Sequence, residues 1–210
     1  TVIGTTGSYG KTSTKTFLQA LLSVKYNVLM TPESYNTTMG VVRTIREQLR
    51  PTHQIFIAEM GARQVGDIKE ICDLVHPTYG IITAIGEQHL ETFGSLDNIL
   101  RTKLELAHAL PAHGKAFLNM DNPHLREQAP HLQVPVVGYG LTAGDYRATD
   151  LKVDRTGSSF TVTAPDGTCC RYTTKLLGRH VVQNLVGCIA VCHQLGIPLE
   201  DLSYPIRMLK

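Results

Sequence analysis

A lysine and a threonine close a glycine-rich stretch near the start of the 210-residue chain. The stretch runs from Gly4 to Thr12, and its core reads Gly7-x-x-Gly10-Lys11-Thr12. Glycines let a backbone curl until successive N–H groups face one anion, and the following helix N-terminus adds a positive field. In such a loop Lys11 would reach the β- and γ-phosphates of a nucleotide, and the Thr12 hydroxyl would ligate Mg²⁺. The alternative is a glycine-rich helix entry with an incidental lysine.

The residues around this stretch provide the context that a phosphate-binding loop requires. A strand stub at 1–3 precedes it, and apolar residues at helical spacing follow over 11–24. One position departs from the usual pattern, because Thr5 lies where a glycine is expected five residues before Gly10. The loop core is intact, and we expect it to bind phosphate.

Strand and helix signals alternate through most of the chain. Helices are predicted over 11–24, 38–49, 67–75 and 95–109, and strands over 1–3, 26–30, 55–58, 79–84, 116–118 and 134–137. This β-α-β order predicts an α/β fold, a P-loop-containing, mostly parallel sheet with helices on both faces.

The pattern changes after Gly144. Polar and apolar residues alternate over 151–154, 159–163 and 171–174, which predicts a small antiparallel β insertion at about 145–176. A final helix is predicted over 181–195, and the whole of 1–210 reads as one domain. Because the chain opens inside a strand, we expect it to be excised from a longer protein.

The composition excludes several classes of protein. Lys and Arg number 20 and Asp and Glu number 18, and a net charge of +2 argues against a nucleic-acid or membrane-surface binder. No apolar run approaches the roughly 20 residues that span a bilayer, so no membrane insertion is expected. The cysteines at 72, 169, 170, 188 and 192 form no C-x-x-C pair, which predicts reduced thiols and a cytoplasmic protein.

Glu59 ends a predicted buried strand, at the edge where open α/β sheets place their ligands. A buried carboxylate without a partner is costly, so a metal ion or another cation is expected beside it. The alternative is a local salt bridge.

Several segments, in order, resemble the Mur ligase family, which builds the peptide stem of bacterial peptidoglycan. They are Thr6-Gly7-Ser8-Tyr9-Gly10-Lys11-Thr12-Ser13, Asn36-Thr37-Thr38-Met39-Gly40-Val41, Glu59-Met60-Gly61-Ala62 with Gly66-Asp67-Ile68, His89-Leu90-Glu91-x-Phe93-Gly94-Ser95, Lys103-x-Glu105, and Gly178-Arg179-His180-x-x-x-Asn184. The Glu-Met-Gly-Ala and Gly-Arg-His segments are most similar to the MurF branch. The resemblance implies the central ATP-binding domain of an ATP- and Mg²⁺-dependent ligase that adds D-Ala-D-Ala to UDP-MurNAc-tripeptide through an acyl phosphate.

The resemblance also implies site residues. It assigns the nucleotide to the loop Thr6, Gly7, Ser8, Tyr9, Gly10, Lys11, Thr12 and Ser13, with Asn184 at the base and His180 shaping that pocket. It assigns Mg²⁺ to Thr12, Glu59, His89 and Lys103, and catalysis to Lys11, His89 and Lys103.

Lys103 is the unusual member of this set. In the family the matching lysine carries a carbamate formed with CO₂, which requires a neutral amine and therefore a lowered pKa. The alternative is that Lys103 and Glu105 are two solvated charges on an amphipathic helix.

Further positions resemble the family's substrate and nucleotide loops. Asn36 and Thr37 are candidates for the acyl-substrate side. Asn119 and Asp121 resemble a loop near the nucleotide, or alternatively form an Asx turn that opens a short helix. Two departures are Val181, where the family usually has Asn, and Arg63-Gln64-Val65, where many relatives have Asn-His-Pro.

The resemblance implies two flanking domains that this chain lacks. One would hold the UDP end of the substrate, and the other would close over ATP and the dipeptide. We therefore expect a monomeric chain that binds nucleotide weakly and does not turn over alone. Alternatives are a MurE-like or folylpolyglutamate-type ligase, a MurF paralogue with another acceptor, and a non-catalytic nucleotide-binding module.

Overall fold

The computed structural model describes residues 1–33 and 35–210 and contains one nine-stranded sheet. The strands are β1 (Val2–Thr6), β2 (Val28–Met30), β3 (Ile55–Glu59), β4 (Tyr79–Ile82), β5 (Lys115–Asn119), β6 (Val136–Gly140), β7 (Tyr146–Asp154), β8 (Gly157–Thr163) and β9 (Cys169–Thr174). Their spatial order is β2-β3-β1-β4-β5-β6-β7-β8-β9. All neighbours from β2 to β7 pair in parallel, whereas β7, β8 and β9 pair antiparallel.

Helices cover both faces of the sheet. They are α1 (Lys11–Leu22), α2 (Thr38–Gln48), α3 (Asp67–Val75), α4 (Leu90–Phe93), α5 (Leu96–Ala109), α6 (Pro123–Gln128), α7 (Arg179–Gln194) and α8 (Ser203–Met208). Short 3₁₀ turns at Ala129–His131 and Leu199–Leu202 complete the described elements.

The central strands are apolar on both sides, which produces two cores. In β3, Ile57 belongs to the core that includes residues of α1 and α7 on one face, and Phe56 belongs to the core that includes residues of α3 and α5 on the other. Phe117 and Leu118 divide in the same way in β5. Successive side chains of a strand point to opposite faces, so a continuous apolar run is buried on both.

Parallel pairing brings the carboxyl ends of the central strands to one edge of the sheet. Thr5 pairs with Glu59 on one side and with Ile81 on the other, and Ile82 pairs with Leu118. The loops after β1, β3, β4 and β5 therefore leave the sheet side by side. This edge carries the candidate site.

The predicted fold class is confirmed, but several boundaries differ. The first strand continues through Gly4 and Thr5 to Thr6, so the turn begins at Gly7 rather than Gly4. A β-carbon on Gly4 would lie 2.7 Å from Leu106 and 2.9 Å from Met60, which explains a glycine within a strand. The strand predicted over 134–137 is β6 (Val136–Gly140).

Three short helices, α4, α6 and α8, and the first half of β7 were not predicted from periodicity. The antiparallel strands β7 to β9 extend the same sheet rather than forming a separate one. Within residues 1–33 and 35–210, no helix combines the length and apolarity that a membrane span requires.

Candidate functional site

The loop between β1 and α1 has a backbone shape that favours glycine at two positions. Gly7 has a φ of 151° and Gly10 a φ of 79°. L side chains are strained at both values. A β-carbon on Gly7 would also overlap the Thr83 hydroxyl. Both glycines of the motif are therefore needed for the geometry of the loop.

The segment that follows β4 holds this loop in position. The Ser8 N–H donates to the Ala84 carbonyl oxygen at 2.8 Å. Ser8 Oγ donates to the Gly86 carbonyl oxygen at 3.2 Å and lies 3.0 Å from the Gly86 N–H, which donates to it. The Thr83 hydroxyl donates to the Tyr9 carbonyl oxygen. The shape of the loop is thus fixed by hydrogen bonds to a neighbouring strand end.

Helix α1 begins directly after the loop, and no side chain caps its N-terminus. Its N-cap is Gly10, which supplies no side-chain acceptor. The first N–H groups of a helix lack intrahelical partners and form the positive end of its dipole. Lys11 adds a half-buried ammonium at the first helical position. Backbone donors and one cation together can bind a phosphate group.

The polar side chains of the loop are mostly engaged inside the fold. The Thr6 hydroxyl donates to the Met60 carbonyl oxygen at 2.8 Å, and Ser8 is bound as described above. Ser13 is exposed on α1. The side chains of Thr6 and Ser8, the Ser8 N–H and the Thr6 carbonyl oxygen are therefore all engaged within the fold.

Glu59, at the end of β3, connects three neighbouring segments. Its side chain is 1% exposed. Oε1 accepts a hydrogen bond from the Thr12 hydroxyl at 2.8 Å and lies 3.2 Å from the Lys15 ammonium. Oε2 accepts from the Asn36 side-chain amide at 3.1 Å. The expectation of a cation beside this carboxylate is met by Lys15, a residue that the sequence motifs did not select.

A cavity of about 550 Å³ lies next to the loop and collects most of the predicted catalytic residues. It is lined by Lys11, Asn36, Thr37, Thr38, Met39, Gly61, Ala62, Arg63, Asp67, Ile71, His89 and Lys103. Asn36 also joins the cavity to Glu59 through its side-chain amide. Residues far apart in the sequence thus share one space, which we call the first cavity.

Lys103 reaches the first cavity from the buried side of α5. It is 3% exposed. Burial, with a smaller contribution from the charge of Lys11, lowers the pKa of its ammonium from 10.5 to about 8. Glu105 accepts hydrogen bonds from the N–H groups of Gly66 at 2.8 Å and Lys69 at 3.0 Å, at the N-terminus of α3. The alternative of two solvated charges is wrong for Lys103.

His89 lies at the mouth of the first cavity. It is exposed and precedes α4 with a φ of 60°. A non-glycine residue in this left-handed region is uncommon. His76 and Asp150, which line neither cavity, share this backbone conformation, so the φ value alone does not mark a ligand site.

A second cavity, of about 600 Å³, adjoins the first at the loop, with Gly10 lining one and Lys11 the other. Its lining residues are Tyr9, Gly10, Thr83, Ala84, Asn119, Asp121, Asn122, Pro123, His180, Gln183 and Asn184. A β-carbon on Gly10 would lie 3.0 Å from the Asn184 side-chain amide. The start of α7 therefore packs directly against the loop.

Asn119 and Asp121 shape the wall of the second cavity. Asn119 donates to the Thr83 carbonyl oxygen at 2.7 Å and accepts from the Asp121 N–H at 3.0 Å, which forms an Asx turn before α6. Hydrogen bonds from Leu141, Thr142 and Gln183 lower the pKa of Asp121 despite its partial burial. The predicted Asx turn is present, and both residues line the cavity as well.

The two cavities and the loop suit a long anion that runs from one to the other. The backbone N–H groups and Lys11 lie between them, and the first cavity carries the further cations Lys103 and Arg63. The second cavity is lined by several amides and by the Asp121 carboxylate, whose oxygens accept hydrogen bonds from Leu141, Thr142 and Gln183. A sequence profile described as "Mur ligase middle domain" matches residues 5–192.

The chain belongs to the Mur ligase family.

Similar Mur ligases are found in several bacteria. The UDP-N-acetylmuramoyl-tripeptide–D-alanyl-D-alanine ligase of Bacillus subtilis is 34% identical over 209 residues, which cover 100% of this chain and 44% of the relative. The enzyme of the same name from Escherichia coli K12 is 32% identical over 212 residues, which cover 100% of this chain and 46% of that relative. The chain therefore spans about half the length of the curated relatives it matches.

Solved Mur ligase structures share the fold over the whole chain. A crystal structure of MurF from Acinetobacter baumannii matches with a TM-score of 0.91 at 31% identity. The match covers 100% of this chain and 46% of the MurF chain. MurF ligase from Thermotoga maritima in complex with ADP matches with a TM-score of 0.89 at 29% identity, with coverage of 100% and 48%.

The oxygen donors at the loop fit a hard cation such as Mg²⁺. The Thr12 hydroxyl and Glu59 carboxylate are 2.8 Å apart, so one ion can contact both. Within residues 1–33 and 35–210, no group of three or more His, Cys, Asp or Glu residues is placed to hold a metal ion. Mg²⁺ is commonly held by one or two carboxylates together with substrate phosphates and water, so Thr12 and Glu59 would be its protein ligands here.

Lys15 is the residue of the site that motif reasoning missed. It lies four residues after Lys11 in α1 and is 1% exposed. A signal was present in the sequence, because Lys15 shares helical spacing with the buried Leu18 and Leu22. A lysine on the apolar face of a helix requires a partner, and Glu59 supplies it.

Proposed function

We propose that this chain is the central, ATP-binding part of a ligase that adds D-Ala-D-Ala to UDP-MurNAc-tripeptide. The observation that carries the proposal is the first cavity, where Lys11, His89 and Lys103 meet beside the Thr12–Glu59 pair. Relatives that bear this activity in their names are 30–37% identical over nearly the whole chain.

The reaction joins a carboxylate to an amine. A carboxylate oxygen of the tripeptide attacks the γ-phosphorus of ATP, the bond to the ADP oxygen breaks, and an acyl phosphate forms. The amine of the dipeptide then attacks the acyl carbon, loses a proton and expels inorganic phosphate. Such a sequence is catalysed mainly by alignment and by neutralisation of the charge that collects between the reactants.

The loop and Lys11 would bind the phosphates of ATP. The uncapped start of α1 supports backbone hydrogen bonds to phosphate oxygens, and Lys11 lies beside them at the edge of the first cavity. Its ammonium would follow the γ-phosphoryl group during transfer. This is the position in which a cation lowers the barrier most, because negative charge shifts there in the transition state.

Thr12 and Glu59 would hold Mg²⁺, with His89 available for a second ion. When bound, Mg²⁺ would neutralise charge on the phosphate oxygens. Glu59 is oriented for this by the Asn36 amide on its second oxygen. Asn36 and Thr37 line the first cavity and would contact the acyl substrate.

Lys103 would act as an anion after reaction with CO₂. Its neutral amine attacks the carbon of CO₂, one proton leaves to solvent, and a lysine carbamate with one negative charge results. The lowered pKa of about 8 supports this step, because part of the amine is neutral near pH 7. The carbamate would add a hard oxygen ligand to a cavity otherwise rich in cations.

The second cavity would bind the nucleoside end of ATP. Asn184 and His180 line it at the start of α7, and Asn119 and Asp121 form the opposite wall. The relative from Thermotoga maritima, at 29% identity, was solved with ADP. ATP lying across the loop would therefore place its γ-phosphate toward the first cavity.

Flanking domains would supply the rest of the substrate contacts. The chain covers 44–46% of its relatives from Bacillus subtilis and Escherichia coli, so the UDP end and the dipeptide would bind largely outside it. We propose that the chain alone binds nucleotide weakly and does not turn over. Within residues 1–33 and 35–210 the five cysteines form no disulfide with one another, which supports a reducing, cytoplasmic setting.

The function is tested on the full-length protein by phosphate release. We expect release to require ATP, UDP-MurNAc-tripeptide and D-Ala-D-Ala together. Two matched reactions change both substrates. One supplies a UDP-muramoyl dipeptide as the carboxylate and diaminopimelate as the amine, and the other supplies a folate as the carboxylate and glutamate as the amine. Activity in either of these reactions alone would assign the protein to the MurE-like or folylpolyglutamate-type class, and nucleotide binding without turnover in any reaction would favour the non-catalytic module.

A further inference from the structure

Lys15 and Glu59 form a buried ion pair inside the site proposed for Mg²⁺. Each side chain is 1% exposed, and Lys15 Nζ lies 3.2 Å from Glu59 Oε1. Among the residues that the structure describes, this ammonium has no hydrogen-bond partner of good geometry. Its charge is balanced by the Glu59 carboxylate through the ion pair.

The contacted oxygen is the one that faces the loop. Oε1 also accepts the Thr12 hydroxyl at 2.8 Å, whereas Oε2 binds the Asn36 amide. The Glu59 oxygen that would contact Mg²⁺ together with Thr12 is therefore already paired with the Lys15 ammonium.

The surroundings add positive rather than negative charge. Lys11 and Arg63 line the adjoining first cavity, as does Lys103, which is a cation until it reacts with CO₂. The one carboxylate on that lining, Asp67, accepts hydrogen bonds from the N–H groups of Arg63 at 2.9 Å and Gln64 at 3.1 Å. A free divalent cation would meet Glu59 paired with Lys15, Asp67 hydrogen-bonded to two backbone N–H groups, and several cations. Coulomb repulsion between like charges is strong in a partly buried site.

We propose that Lys15 is a positioning residue that prevents Glu59 from binding a divalent cation until nucleotide phosphates arrive with it. The inference rests on the proposed function, since it concerns the same Mg²⁺ site. Phosphate oxygens bring the negative charge that the protein lacks, so the ion enters only as a metal–nucleotide complex. Lys15 keeps Glu59 pointing at Thr12 and screens it from bare ions.

The test uses Mn²⁺ as a spectroscopic substitute for Mg²⁺, because carboxylates and water suit both ions. Electron paramagnetic resonance measures bound Mn²⁺ in the purified protein without nucleotide, and again with ADP or ATP. In the wild-type protein we expect Mn²⁺ binding only when nucleotide is present. Nucleotide-independent Mn²⁺ binding that is lost in Glu59→Gln would overturn the proposal.

Variants of Lys15 test whether removing its charge allows Mn²⁺ to bind without nucleotide. Lys15→Gln removes the charge and leaves a neutral polar side chain, and it should bind free Mn²⁺ at least about tenfold more tightly than wild type. Lys15→Arg keeps the charge and should behave as wild type, as should Lys152→Met, which removes an exposed lysine on β7. The gain should vanish in Lys15→Gln combined with Glu59→Gln.

A folded Lys15→Gln protein with no gain in Mn²⁺ binding overturns the proposal. Circular dichroism establishes folding, and Lys15→Met provides a second neutral variant. Failure of the proposed function is a separate outcome, because it shows as no ADP or ATP binding by wild type at any Mn²⁺ concentration. The Lys15 measurement without nucleotide can still be made in that case.

Discussion

Lys103 and Glu105 lie two residues apart in α5, yet their side chains act at different places. Lys103 is buried at the first cavity, and Glu105 binds the N-terminus of α3 through the N–H groups of Gly66 and Lys69. Residues at i and i+2 of a helix point to different sides. One helix therefore supplies the cavity with an amine and anchors the loop 61–66 that forms another wall.

The first prediction concerns the cost of burying the Lys103 ammonium. Its pKa is about 8 in the folded protein against 10.5 ordinarily. As the pH rises, Lys103 therefore loses its proton at a lower pH in the folded protein than in the unfolded chain. The destabilisation is fully present below pH 8 and fades as the pH rises toward 10.5, the pKa of Lys103 in the unfolded chain. Lys103→Met should be more stable than wild type at pH 7 by an amount on the order of 3 kcal/mol, and equal to it above the ordinary lysine pKa.

Urea unfolding at a series of pH values in CO₂-free buffer checks this prediction. Lys152→Met, at an exposed position, is the control and should match wild type throughout. An advantage of Lys103→Met that stays constant or grows with pH would contradict the lowered pKa.

The second prediction concerns the anchor made by Glu105. Glu105→Gln keeps the size of the side chain but removes the charge that faces the positive end of α3. We expect a loss of about 1–2 kcal/mol in the free energy of unfolding, since hydrogen bonds to a charged acceptor exceed neutral ones by such an amount. Chemical denaturation measures it, with the exposed Glu127→Gln as a control that should change stability by less than about 0.5 kcal/mol.

The third prediction concerns Lys11 as a phosphate ligand. Lys11→Ala should raise the Kd for ADP or ATP with Mg²⁺ by roughly a hundredfold or more, because one preorganised charge on the phosphates is lost. Isothermal titration calorimetry on the full-length protein measures this, and Lys152→Ala should leave the Kd unchanged. Nucleotide affinity in Lys11→Ala equal to wild type would remove the loop from the proposed site.

Much of the site follows from sequence because parallel strands end at one edge. Glu59 ends β3 and His89 lies in the segment after β4, and alternation of strands and helices is enough to bring these two positions to the same edge. The geometry of Thr5 shows the limit of motif reasoning. Thr5 departs from the common loop pattern because it is a paired strand residue between Glu59 and Ile81.

Short elements and long-range pairs were less accessible from sequence. Helices α4, α6 and α8 have four to six residues, which is too few for a periodic signal. For α6 a local signal existed, because Asn122 caps a helix with Pro123 in its first turn. The Lys15–Glu59 pair joins residues from a helix and a strand, and only the folded structure identifies the partner.

The last prediction separates a clash at the loop from backbone strain alone. Gly7 and Gly167 both have positive φ, at 151° and 87°. A β-carbon on Gly7 would overlap Thr83, whereas none of the described residues lies within 4 Å of one on Gly167. Gly167→Ala should cost about 1–2 kcal/mol from strain and leave nucleotide binding unchanged.

Gly7→Ala should cost more, at least about 3 kcal/mol, because the backbone or Thr83 must move as well. Movement of Thr83 would break its hydrogen bond to the Tyr9 carbonyl oxygen, so the loop would lose the shape that presents its N–H groups. We therefore expect Gly7→Ala to lose nucleotide affinity even at temperatures where it remains folded. Thermal unfolding and calorimetric titration, run on both variants, measure the two effects. Equal affinity in Gly7→Ala and Gly167→Ala would show that the shape of the loop does not determine nucleotide binding.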